Sequence, residues 1–204
     1  MESVDCLLVK SAKACAPGSV QRWLEVANVP GIRQAQPRCV STHAAENGEP
    51  MRHLYLMLDA PLTMSAEDVV QLSKVWHALT GNTVVMSRLR KVLDLPGAAP
   101  NAEALAHYVV ETDPEDGWGD EIAQWYAEEH LPGLARVPGC IVAQRYINLD
   151  HSPSSFACYD LASPEVLNSP EWLAIRGTAW SDRCRPHFTN TLRTLFEHIH
   201  PLTF

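Results

Sequence analysis

The sequence predicts an α+β protein made of two tandem β-α-β-β-α-β units of ferredoxin-like topology. Three observations lead there. A motif W-x6-P-G-[IL] occurs twice, as Trp23 to Ile32 and as Trp125 to Leu134, at an offset of 102 residues, half of the 204-residue chain. Strand-like and helix-like segments follow one another in the same order around both motifs. A unit of about 100 residues buries only about two thirds of its unfolded surface, so two such units gain by packing together.

The elements follow in order. Apolar, β-branched runs at Cys6–Lys10 and His107–Thr112 precede the two motifs as first strands. Second and third strands are expected at Cys39–Thr42 and Leu54–Leu58, then at Cys140–Ile147 and Phe156–Leu161. Ser65 with Glu67 and Asp68 reads as an N-cap and acidic first turn, leading through Val69, Leu72 and Trp76 to a stop at Gly81. Ser163-Pro164-Glu165 and Ser169-Pro170-Glu171 are two further cap–Pro–acid starts, the latter running to Gly177. Thr83–Leu93 and Phe188–Ile199 are the closing strands. The stretch Leu95–Ala102, with Pro-Gly-Ala-Ala-Pro-Asn, reads as a linker, which bounds a first unit at 1–97 and a second at 104–204. A four-stranded sheet with helices on one face leaves its other face bare. Pairing two such faces is expected to make an intrachain pseudo-dimeric α/β barrel.

Composition narrows the function. An apolar fraction of 46% and a charged fraction of 20% are those of an ordinary globular protein. The net charge of −8 and the absence of a Lys/Arg cluster argue against a nucleic-acid footprint. No apolar run is long enough to span a membrane, and the acidic start MESVDCLLVK is not a signal peptide, so a cytoplasmic location is expected. The six cysteines lack close spacing, which argues against a metal or redox motif and for reduced core residues. No GxGxxG, GxxxxGK[ST] or GxSxG stretch occurs, and no cofactor or metal is expected.

The candidate chemistry lies in the helix from about Gly119 to Leu134. At 100° per residue, Ile122, Trp125, Tyr126 and Glu129 share one face, with His130 at its margin. A carboxylate on an apolar stripe is costly unless it lines a polar cavity, where burial would raise its pKa into the range of an acid–base catalyst. His130 and Glu129 are therefore the candidate catalytic pair. Subtracting the offset puts Ala27 and Asn28 in their places, so the first unit is expected to be scaffold and the second to hold the site. The plainer alternatives are that Glu129 reaches solvent and that His130 sits at a helix end. Trp125 and Tyr126 on the helix, His107 and Tyr108 on the first strand, Tyr146, Tyr159 and His187 are the candidate substrate-binding residues, with strand packing as their ordinary alternative.

Trp125-x4-His130-x-Pro132, followed by Val137-Pro-Gly-Cys-Ile-Val-Ala-Gln-Arg-Tyr146, resembles the EthD-like branch of the dimeric α/β-barrel superfamily. The stretches Tyr159 to Leu167, Arg176 to Trp180 and Arg185 to Phe188 carry the same likeness, while the first unit has Asn28-Val29-Pro30 instead of His-x-Pro. The resemblance implies the fold, and a superfamily of cofactor-free monooxygenases, isomerases, cyclases and haem enzymes. The expected function is a cofactor-independent acid–base enzyme of isomerase, cyclase or lyase type, acting on a small aromatic or carbonyl-activated molecule. A cofactor-free monooxygenase and a non-catalytic ligand-binding module are the alternatives. Fusion of two units removes the need for a second chain, though strand edges leave a homodimer open.

Overall fold

The computed structural model describes residues 2–13, 18–27, 32, 36–41 and 51–201. They form two compact units, Met1–Arg90 with His198–Phe204, and Lys91–Glu197. Each has the ferredoxin-like α+β architecture.

In the first unit the elements are β1 (Glu2–Ser11), α1 (Ser19–Val26), β2 (Gln36–Ser41), β3 (Arg52–Met64), α2 (Ala66–Thr80) and β4 (Val85–Pro96). The boundary between the units falls inside β4, after Arg90. The strand order is β4-β1-β3-β2, closed at its edge by the terminal strand β9 (His198–Pro201). Ser65 makes the expected capping box: its hydroxyl accepts from the Asp68 amide while the Asp68 carboxylate accepts from the Ser65 amide. Gly81 ends α2 at φ 69°, a left-handed geometry that favours glycine. The core of this unit is held by two tryptophans. Trp23 of α1 and Trp76 of α2 pack edge to face with ring centroids 5.2 Å apart, and Trp23 Nε1 donates to the Leu72 carbonyl at 3.1 Å. Asn28, Pro30 and Thr42 lie outside the described residues.

The second unit runs β5 (Ala106–Pro114), α3 (Gly119–Trp125), a π-helical turn (Tyr126–His130), α4 (Leu131–Ala135), β6 (Cys140–Asn148), β7 (Ser155–Leu161), α5 (Pro170–Arg176), α6 (Ala179–Cys184) and β8 (Phe188–Phe196). Its strand order, β8-β5-β7-β6, repeats that of the first unit element for element. The register repeats too. Cys6 lies opposite Met57, and Tyr108 lies opposite Tyr159. Of the two expected helix starts, Ser169 caps α5 by accepting from the Trp172 amide, whereas Ser163 opens only a short 3-10 turn. The expected closing strand Phe188–Ile199 is broken at Glu197, and the piece beyond it joins the first unit as β9.

The expected linker is tied down. The amides of Gly97, Ala98 and Ala99 donate to the carbonyls of Ile141, Ala135 and Cys140 at 2.8–2.9 Å. A Cβ on Gly97 would lie 2.1 Å from the Cys140 carbonyl oxygen, so only glycine lets the chain approach this closely. Cys6, Cys140, Cys158 and Cys184 are buried and unbridged. No helix among the described residues is long and apolar enough to cross a membrane.

Candidate active site in the second unit

The helix after β5 does not keep a single period. The Leu131 amide donates to the Tyr126 carbonyl, a five-residue step in place of the α-helical four. Pro132 supplies a local cause. It has no N–H for the Glu128 carbonyl, and in a regular α-helix its ring would collide with that carbonyl. Gly133 follows because α4 lies hard against α5: a Cβ there would sit 2.9 Å from Ile175 Cγ2.

The extra residue in the turn changes which side chains face inward. His130 is buried, with 8% of its surface exposed, and Glu129 is only half-buried. The constant 100° step predicted the reverse, an inward Glu129 and a marginal His130. Glu129 Oε1 instead accepts from Thr178 Oγ1 at 2.6 Å, and the hydroxyl oxygens of Thr178 and Ser181 lie 2.8 Å apart. The hydrogen bond of the Glu129 carboxylate thus goes to Thr178, and His130 Nδ1 is buried with no partner.

Under this turn the second unit holds a small pocket that opens to solvent. The strands contribute Tyr108, Val110, Tyr159 and Arg193. The helix and π turn contribute Trp125, Tyr126, His130 and Leu134. Trp172, Arg176, Arg185 and Phe188 close it from α5 onwards. The rings pack on one another: Trp125 stacks on His130 at 4.1 Å between centroids, and Tyr126 on Phe188 at 6.3 Å. Tyr108 and Tyr159 stack at 6.2 Å, with Trp172 edge-on to both. Behind Tyr126 the guanidinium of Arg145 lies 4.8 Å from its ring centre and donates to Ser155 Oγ.

Two polar atoms of this wall are buried without a hydrogen-bond partner, Trp125 Nε1 and His130 Nδ1. A buried polar atom left without a partner costs about 1–3 kcal/mol of desolvation. Burial, and then the charges of Arg185 and Arg176, push His130 down to about 3, so its imidazole is neutral across the physiological range. Burial raises Tyr108, Tyr126 and Tyr159, against a smaller opposing pull of nearby arginines on the first two. The phenols therefore stay protonated. Arg185 is itself lowered, by burial and then by Arg176 and Arg193. None of the twelve lining side chains is a carboxylate.

Of the nine candidate residues, the fold brings five to this cavity: Trp125, Tyr126, His130, Tyr108 and Tyr159. His107 does not line it, because successive strand residues alternate faces. Its Nδ1 instead meets Asp160 Oδ1 at 2.7 Å. Tyr146 is also outside the lining, with its hydroxyl donating to Gln144 Oε1 at 2.9 Å. His187 flanks the cavity through its neighbours Arg185 and Phe188. Its ring stacks on Trp118 at 3.4 Å, and Nδ1 meets Glu115 Oε2 at 2.6 Å. The sequence argument missed Arg176, Arg185 and Arg193 as a set. They come from three different elements, and no spacing along the chain joins them. Among the described residues, no three His, Cys, Asp or Glu side chains gather in a way that could hold a metal ion.

No protein-family profile and no curated protein sequence matches the chain. Solved structures do. A protein provisionally named a monooxygenase from Fusobacterium nucleatum superposes with a TM-score of 0.58 at 12% identity, covering 98% of this chain and 96% of that one. An anthrone oxidase-like protein superposes at 0.53 and 13% identity, covering 97% and 93%. A chlorite dismutase variant from Candidatus Nitrospira defluvii does so at 0.57 and 11%, covering 98% and 92%. The ferredoxin-like fold is thus shared along nearly the whole chain with monooxygenase-like proteins, and at these identities the likeness concerns the fold.

Proposed function

We propose that the second unit is a cofactor-independent enzyme that removes a proton from a small aromatic or enolisable substrate and stabilises the resulting anion. The observation that carries this is a neutral imidazole set in an aromatic cavity beneath three guanidiniums, with no carboxylate in the lining. The substrate's C–H or O–H proton passes to His130. The electron pair left behind becomes an enolate or phenolate whose charge the arginines hold. His130 has no hydrogen-bonded carboxylate behind it to raise its basicity. The field of the arginines must therefore do most of the work, by making the substrate a stronger acid. As the imidazole takes the proton, the new anion beside it compensates its charge.

Among the reactions open to such an anion, we favour attack on dioxygen over isomerisation, cyclisation or lyase chemistry. For a ketone flanked by an activated CH2, the balance is CH2 + O2 → C=O + H2O, with a hydroperoxide between, and no metal or organic cofactor enters. Proteins named monooxygenase and anthrone oxidase-like share the fold and support this choice. Trp125, His130 and Pro132 support placing the unit in the EthD-like branch, and the repeated strand order and register support an origin by duplication. The intrachain pseudo-dimeric barrel and the two-unit division belong to the same proposal.

The test uses the full chain, treated with chelator, and a panel of phenols and anthrone-type ketones. Under nitrogen, substrate C–H exchange with deuterated water reads proton abstraction. Under air, oxygen uptake reads the second step. Exchange that falls at least tenfold in His130→Gln, with one oxygen consumed per product, is the expected result. Exchange without oxygen uptake would move the reaction to the isomerase class. Equal rates in wild type and His130→Gln would sink the acid–base reading.

A further inference from the structure

We propose that the substrate of this cavity carries a fixed carboxylate in addition to the group that reacts, and that Arg176, Arg185 and Arg193 are its recognition set. The inference deepens the function proposed above and rests on the same cavity.

The case begins with charge. The chain as a whole is acidic, at −8, yet this cavity collects three guanidiniums and no acid. Among the described residues, none of the three forms an ion pair. The one hydrogen bond that ties them together runs from Arg185 Nη1 to the Arg176 backbone carbonyl at 3.3 Å, which holds Arg185 at the end of α5; the charge of Asp182, outside the cavity lining, offsets that of Arg185 only in part. Like charges lining one cavity destabilise one another: burial first, and then the charges of Arg176 and Arg193, lower the basicity of Arg185. A cavity lined by such a cluster, with no carboxylate in its wall, favours an anion. Guanidinium forks match the planar two-oxygen edge of a carboxylate, while the ring-lined walls take the aromatic body.

The first unit shows that the cluster is not a requirement of the fold. Val110 lies opposite Arg193 in the second unit, and Leu8 at the equivalent place lies opposite Ser87. Where the second unit pairs Tyr108 with Tyr159, the first pairs Cys6 with Met57. The same strands can thus be built without the arginine and the phenols. A second line of support is independent of charge: Trp125 Nε1 and His130 Nδ1 line the cavity, buried and unpartnered, as expected of a site that awaits a polar ligand.

A fixed carboxylate also gives the reaction an orientation. With one end of the substrate locked to the guanidiniums, the reacting carbon or hydroxyl is held at a set distance from His130.

The experiment compares isosteric pairs, 2-naphthoate with 2-naphthamide and salicylate with salicylamide, by calorimetry on the full chain. Inorganic phosphate serves as the competitor. The expected result is that each carboxylate binds at least tenfold more tightly than its amide. The ratio should shrink with added salt, fall towards one in Arg185→Gln, and recover in part in Arg185→Lys. Arg193→Gln, at an exposed position, keeps the test alive if Arg185→Gln does not fold. An amide that binds as well as its carboxylate overturns the proposal, and so does a ratio that neither variant changes. Phosphate that displaces ligand more strongly than carboxylate overturns the chosen class of anion. The two proposals fail separately. Tight carboxylate binding without proton exchange would end the enzyme reading and leave the recognition set standing. Exchange on neutral ketones alone would do the opposite.

Discussion

The two units solve one packing problem in two ways. Trp23 and Trp125 sit 102 residues apart, both almost wholly buried under the first helix of their unit. Trp23 is wholly buried. Trp76 packs edge-on and the indole N–H is spent on the Leu72 carbonyl. Around Trp125 a cavity opens, the indole N–H is unspent, and the neighbours are phenols, an imidazole and guanidiniums. One helical detail accompanies the difference. The described part of the first helix is a regular α-helix ending at Val26, whereas its counterpart passes through a π turn that carries His130 inward. A scaffold that closes over apolar side chains in one unit can hold a polar cleft in the other at the same strand register.

The sharpest way to break this comparison is to truncate both tryptophans. Trp23→Ala should cost about 3–5 kcal/mol, because the ring is wholly buried and the hole it leaves cannot collapse fully. Trp125→Ala should cost less, since its ring lines the pocket and the hole it leaves would open into that pocket, where water can fill it. It should nevertheless abolish ligand binding. Denaturant midpoints of the two variants read the difference. Equal losses would mean that the cleft is as well packed as the scaffold core.

Next in size is the pH dependence that only the second unit can contribute here, since the first has Asn28 where the second has His130. His130 is held near 3 in the folded protein and titrates at about 6.5 when unfolded. Below 6.5 the unfolded chain takes up a proton that the folded protein refuses. Stability from this group is therefore present at neutral pH and is lost as the pH falls from about 6.5 towards 3. Between pH 7 and 4 the loss should be about 3 kcal/mol. His130→Gln should flatten that part of the profile in chemical unfolding. A wild-type profile no steeper than that of the variant would show that the imidazole is protonated in the folded state.

Much of this was legible in the sequence, and the gaps have physical causes. The ferredoxin-like order followed from the repeated Trp–Pro–Gly motif and from local start and stop signals such as Ser65 and Gly81. These act over one turn and need no tertiary context. The placement of His130 and Glu129 was inverted because a constant helical step cannot anticipate a π turn. Pro132, three residues beyond Glu129, was the available signal: it removes the N–H that the Glu128 carbonyl would need. Tyr108 and His107 could not be separated without knowing which face of β5 the helices cover. The arginines were hidden for a different reason. Arg176, Arg185 and Arg193 stand on a helix end, a 3-10 turn and a strand, and only the closed fold brings their charges to one cavity.

The smallest expected effect is also the most specific to the comparison. Trp→Phe keeps most of the ring and removes the indole N–H. In the first unit Trp23→Phe breaks a buried bond to the Leu72 carbonyl, which should cost about 1 kcal/mol beyond the small loss of ring volume. In the second unit Trp125→Phe removes a buried donor that no protein group satisfies. The desolvation penalty goes with it, so the volume loss is offset and the net change should lie near zero. Ligand affinity should respond the other way, unchanged in Trp23→Phe and weakened several-fold in Trp125→Phe if that N–H meets the ligand. Thermal melts of the two variants with and without 2-naphthoate measure both quantities. Stabilities that fall alike, with affinities that do not move, would leave Trp125 as one more core tryptophan and remove the distinction between the units at this position.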